Sequence, residues 1–158
     1  MEFRTLKKIM KISTSLLIIS GFSLHAFAAQ ISLISGHVRA LPPTVPNTAA
    51  YFTLKNEGAD VKLIKAETPV AKEAQLHTLI EENGVVKMRQ VPSYNLKAHS
   101  QLVLTSSGNH IMVMGLKQPL KVGQIVPLTL YFSDGTKKII KLPVEKVKQE
   151  MDHHHHHH

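Results

Sequence analysis

Residues 74–91, AQLHTLIEENGVVKMRQV, decide the fold. Two runs rich in β-branched and apolar residues flank Asn83-Gly84, a dipeptide that supplies the positive φ angles of a two-residue type I′ hairpin. With Asn83 and Gly84 as the loop, Glu82 faces Val85, His77 faces Gln90 and Leu79 faces Met88. His77 and Met88 are then diagonal neighbours on one face, about 7–8 Å apart between backbones, a gap that long side chains bridge. A three-residue loop would move this register by one.

Working outward, the rest of the chain reads as more of the same. Strand-like runs recur at 49–56 (AAYFTLKN), 60–67 (DVKLIKAE), 101–105 (QLVLT), 110–116 (HIMVMGL), 126–132 (VPLTLYF) and 137–144 (KKIIKLPV), separated by Asn-Glu-Gly, Ser-Ser-Gly-Asn and Ser-Asp-Gly turns. Many short strands at this spacing predict an all-β antiparallel sandwich or barrel. No long segment has helical periodicity, no repeat is present, and Leu41-Pro42-Pro43-Thr44-Val45-Pro46 reads as a rigid loop within one domain.

Both ends are set aside before composition is weighed. Arg4, Lys7, Lys8 and Lys11 precede the apolar run ISTSLLIISGFSL, which ends in Ala26-Phe27-Ala28. That order predicts a secretory signal peptide over 1–28, cleaved after Ala28, and export to the periplasm with no stable membrane insertion afterwards. With no cysteine after the apolar run, a lipid-modified N-terminal cysteine is not expected. Residues 151–158 read as a scar and a hexahistidine purification tag, whose metal affinity is unrelated to function. One domain, 29–150, remains, enough for a single core.

Within it, 15 Lys and Arg stand against 9 Asp and Glu, a surplus of six positive charges spread without a dense run. Nucleic-acid binding calls for a clustered basic face with aromatic stacking, so this surplus reads as a solvated surface suited to an acidic partner or a membrane face. The chain has no cysteine, which removes thiolate chemistry and with it electron transfer at a blue-copper centre. No nucleophile has a neighbouring base, and no phosphate-cradling glycine loop is present, so an enzyme is not expected.

The informative residues are donors. Four histidines (37, 77, 99, 110) and three methionines (88, 112, 114) lie between 29 and 150. His110 and Met112, two apart on a strand, project to one face. His77, Met88, His110 and Met112 therefore form two pairs preorganised on sheet, a neutral and soft N2S2 set that favours Cu(I) over zinc, calcium or magnesium. Met114 is read as an auxiliary thioether. His99, in a turn, and His37, beside the proline-rich loop, are left out. A Cu(II) ion at a secondary site near either terminus stays open, as do two alternatives to carriage: a copper buffer without a dedicated acceptor, and a metal-free structural β-sandwich.

The order His77, ten residues, Met88, twenty-one residues, His110-Ile111-Met112 resembles the signature of the periplasmic copper chaperones called the PCuAC family. The likeness extends over AAYFTLKNEG, TPVAKEAQLH and HIMVMGLKQPLKVGQIVPLTLYF, nearly all of the mature domain. That family commonly has Met directly after the first His, where this chain has Thr78, a spare thioether lost but none of the four donors. The resemblance implies a cupredoxin-like fold and a Cu(I) carrier; the chain is separately expected to be a monomer. It also implies delivery to the CuA site of cytochrome c oxidase subunit II, directly or through a second assembly chaperone.

Overall fold

The computed structural model describes residues 29–147. The expected signal peptide and the tag lie outside them, as does the last stretch of the expected domain. Ten strands follow in order: β1 (Ile31–Arg39), β2 (Asn47–Asn56), β3 (Val61–Glu67), β4 (Ala71–Glu82), β5 (Val85–Gln90), β6 (Tyr94–Leu96), β7 (Ser100–Val103), β8 (His110–Leu116), β9 (Ile125–Phe132) and β10 (Lys137–Glu145). No helix occurs among the described residues.

The strands pair in the order β5-β4-β8-β2-β1-β10-β9-β3-β6, and a β3–β4 pairing at Ala66–Ala74 closes seven of them into a barrel. Strand β5 hangs outside β4, β6 outside β3, and β7 continues the β8 edge of β2. The all-β barrel expected from the sequence is therefore what the chain forms. It is not wholly antiparallel, because β1 runs parallel to β10 through Val38–Val144 and Arg39–Glu145.

Alternation decides which face is inside. Val126, Leu128, Leu130 and Phe132 on β9, and Ile140, Leu142 and Val144 on β10, are each no more than 2% exposed. Ala50, Phe52 and Leu54 of β2 and Ile111 and Val113 of β8 join them in the barrel core. Burying such side chains contributes about 1.5–3 kcal/mol each. Asn56 is wholly buried yet satisfied: its Nδ2 donates to Ala59 O (2.7 Å) and Leu96 O (3.3 Å), and its Oδ1 accepts from Gly58 N (2.9 Å). Residues 41–46 form the expected loop, closed by Val45 N donating to Pro42 O at 3.0 Å.

At Gly36 the chain passes β2 so closely that a Cβ there would lie 2.6 Å from Phe52 Cβ, 2.8 Å from Tyr51 O and 2.9 Å from Leu142 Cδ2. Gly36→Ala should therefore lower stability by about 1–3 kcal/mol through overpacking, read as a lower urea midpoint at unchanged m-value. An unchanged midpoint would contradict this apposition of β1, β2 and β10.

Candidate metal centre

The β4–β5 hairpin has the expected register. Asn83 and Gly84 hold φ of 54° and 74°, and His77 pairs with Gln90 and Leu79 with Met88. On its other side β4 pairs with β8, bringing His77 directly opposite His110 and Gln75 opposite Met112. Strand β2 continues both rows, with Ala49 opposite Met112. Because Leu76, Ile111 and Ala50 point into the core, the alternating neighbours His77, His110, Met112 and Met88 stand on the outer face of the barrel.

The imidazole rings of His77 and His110 are 5.9 Å apart between centroids. His110, Met112 and Met88 line a shallow cavity of about 240 Å³, floored by Ala49 and walled by Tyr51, Leu79 and Arg39. His110 is only 3% exposed, whereas Met88 is 49% exposed. Met114, opposite Glu73 and Asn47, shares the face but sits a row beyond Met112 and does not line the cavity. His99 is exposed, in the turn before β7. His37 belongs to the neighbourhood after all, since it pairs with Tyr51 (ring centroids 5.4 Å), whose ring is 6.4 Å from that of His110.

Hydrogen bonds fix which nitrogens are free. His110 Nδ1 lies 2.9 Å from Gly108 O; a carbonyl only accepts, so the proton sits on Nδ1 and the Nε2 lone pair is left over. For His77 the argument runs along β4. Gln75 Nε2 donates to Glu73 Oε1 at 2.7 Å, which turns Gln75 Oε1 to His77 Nε2 at 2.8 Å. Nε2 must then donate, and Nδ1 keeps the lone pair. Both left-over nitrogens, His77 Nδ1 and His110 Nε2, are buried without a hydrogen-bond partner. A buried unpaired polar atom costs about 1–3 kcal/mol, and metal-ligating histidines have this arrangement, one nitrogen anchored and the other bare. Among the described residues no three His, Cys, Asp or Glu side chains converge.

Behind the sheet, Tyr94 ties the two histidines together. Its hydroxyl, 3% exposed as a residue, meets His77 O and also His110 O at 2.8 Å. Burial pushes the phenol up to about 12, so it stays a neutral donor.

Sequence reasoning missed Tyr94, Tyr51 and Arg39. Tyr94 lies in a three-residue strand too short to show alternation, and the other two depend on β2 lying beside β8 and β1 beside β2.

The matching family is described as "Putative lipoprotein LpqE-like", and its model aligns with residues 31–144. "Putative lipoprotein Lxx21020" of Leifsonia xyli subsp. xyli is 39% identical over 100 residues, 62% of this chain and 60% of that one. The chain spans about three fifths of the length of the curated relatives it matches. In solved structures, CuI-DR1885 from Deinococcus radiodurans is similar at 35% identity and a TM-score of 0.58, over 80% of this chain and 83% of that one. The copper-bound PCuAC domain from PmoF2 shares the fold at a TM-score of 0.63 and 18% identity, over 78% of this chain and 100% of that domain.

Burial, and secondarily the proximity of His110, lower the pKa of His77 below its ordinary 6.5. The folded state then binds fewer protons than the unfolded one, so this contribution to stability is full above 6.5 and drains away as pH falls through 6.5 toward the depressed value. An NMR titration of the tag-free apo protein should place the His77 midpoint below 6.5; one at or above 6.5 would refute the assignment. Tyr94→Phe should lower stability by about 1–2 kcal/mol, measured by urea unfolding.

Proposed function

The chain belongs to the LpqE-like family, and on that footing we propose that it is a periplasmic metallochaperone whose cargo is one Cu(I) ion, held by His77, Met88, His110 and Met112. The reading rests chiefly on two bare, buried nitrogens, His77 Nδ1 and His110 Nε2, on rings 5.9 Å apart, the second of them on a residue that lines one cavity with Met88 and Met112. Two imidazoles and two thioethers are a donor set for a soft, monovalent d10 ion. The likeness to CuI-DR1885 at 35% identity points the same way.

The protein's part is to present donors of unequal tenacity. His110 is buried and anchored through Nδ1 to the Gly108 carbonyl; His77 is oriented by the Glu73–Gln75 relay. These imidazoles are preorganised, so little ordering is required when the ion arrives. Met88 is the opposite, half exposed on a strand paired only with β4. An acceptor's ligand replaces Met88 first and His110 last, so the ion is never free in solution. Neutral thioethers hold copper less tightly than thiolates, which makes passage to a cysteine-containing acceptor downhill. The CuA centre of cytochrome c oxidase subunit II, reached directly or through another assembly chaperone, is such an acceptor.

Anaerobic Cu(I) competition with tag-free protein tests this. His110→Ala and His77→Ala should each weaken binding by at least about 100-fold, since even outer-shell partners of metal ligands count for about 10–100-fold, while circular dichroism stays unchanged. Met88→Leu should weaken equilibrium binding least and speed release most. Affinities unchanged across all four positions would leave a sandwich without copper. Stopped-flow transfer to an apo CuA domain separates carriage from buffering, which predicts release only at the spontaneous dissociation rate.

A further inference from the structure

Among the described residues three buried side-chain nitrogens lack any partner, and all three lie on one face of the barrel: His77 Nδ1, His110 Nε2 and Arg39 Nε. The proposed copper site accounts for the first two. Arg39 is the third, at the end of β1. It lies one residue beyond the Val38–Ala50 pair, so it abuts Ala49, which in turn pairs with Met112. Its side chain lines the same cavity as His110, Met112 and Met88, across the small Ala49.

That guanidinium has nothing to neutralise it. The other arginine of the domain, Arg89, is bound to Glu82 at 2.7 Å, while no carboxylate of the described residues comes within 4.0 Å of Arg39. Glu145, its register neighbour on β10, is exposed and forms no ion pair with it. An arginine is always charged, and its planar fork of Nε–H and Nη–H suits a carboxylate bidentately. Cu(I) held by four neutral donors would keep its own positive charge and add to that of Arg39.

We propose that Arg39 forms a carboxylate-binding subsite next to the copper donors, which receives an acidic group as copper enters or leaves. This rests on the copper reading for its purpose, but the subsite itself is present without metal. The carboxylate comes either from an acidic side chain of the protein exchanging copper or from a free carboxylate in solution, and the two sources are separable.

The first measurement follows the Arg39 Nε–Hε resonance of the tag-free, metal-free chain during titration with sodium acetate, ionic strength being held constant with sodium chloride. A saturable shift at Arg39 and none at Arg89 is expected. A drift no different from that in chloride alone overturns the proposal. Arg39→Lys, which keeps the charge and loses the fork, should abolish saturation while the backbone spectrum stays folded; retained saturation also overturns it.

The second measurement times Cu(I) passage to two cysteine-containing peptide amides that differ only in a Glu or Gln flanking the thiol. If the source is an acidic partner, wild type should favour the Glu peptide by about tenfold at low salt, in the range of electrostatic steering, and Arg39→Gln should erase the preference. Equal rates together with a saturable acetate shift assign the subsite to a free carboxylate. Equal rates without that shift overturn it. If His110→Ala leaves Cu(I) affinity intact, the copper reading fails while the acetate result stands on its own.

Discussion

The cross-strand pairing of His77 with His110 is the constraint on which the rest of the site depends. Two imidazoles reach one point because β4 and β8 are adjacent and in the register that sets these residues opposite each other. A slip of one residue would send either ring into the core and bring Leu76 or Ile111 out. Register is held from both faces. Inside, Leu76, Ile111 and Val113 cannot be turned outward without losing their burial; at the ladder itself, the Tyr94 hydroxyl meets the carbonyls of both histidines. One proton is shared between two acceptors, so either strand shifting alone breaks that arrangement.

Hydrogen bonding then gives each ring a different support. His110 leans on a backbone carbonyl two residues away, a contact that comes with the entry into β8. His77 leans on side chains, Gln75 and Glu73, at alternate positions of its own strand. The period of two that makes a strand amphipathic thus also lines up carboxylate, amide and imidazole on one face. The same periodicity brings Met112 beside Gln75 and one row from His110, without any loop having to be shaped for it.

Much of this was legible in the sequence where the signal is local. Asn83-Gly84 determined the hairpin, and with it the Leu79–Met88 and His77–Gln90 pairs; the His110-x-Met112 spacing put two donors on one face. What escaped depends on contacts between segments far apart in the chain. Strand β1 was not foreseen because Ser32, Ser35 and Gly36 dilute its alternation and a register shift between Leu33 and Ser35 breaks its phase. Without β1, neither its parallel pairing with β10 nor the proximity of His37 and Arg39 to the donors was visible. Tyr94 likewise gives no sign in sequence that it reaches two carbonyls 16 and 17 residues away.

One more consequence follows from the overhang of β5. Seven strands share the closed ring, and β5 is fastened to β4 alone, with all six of its residues exposed. Peeling it back costs little buried apolar surface, so its opening free energy lies far below that of unfolding the barrel. Of the four proposed donors, His77, His110 and Met112 sit on the closed ring and Met88 on this flap. Fraying of that flap is uncoupled from the integrity of the fold, so on the proposed reading the lifetime of a bound ion would follow a local motion that the barrel does not feel.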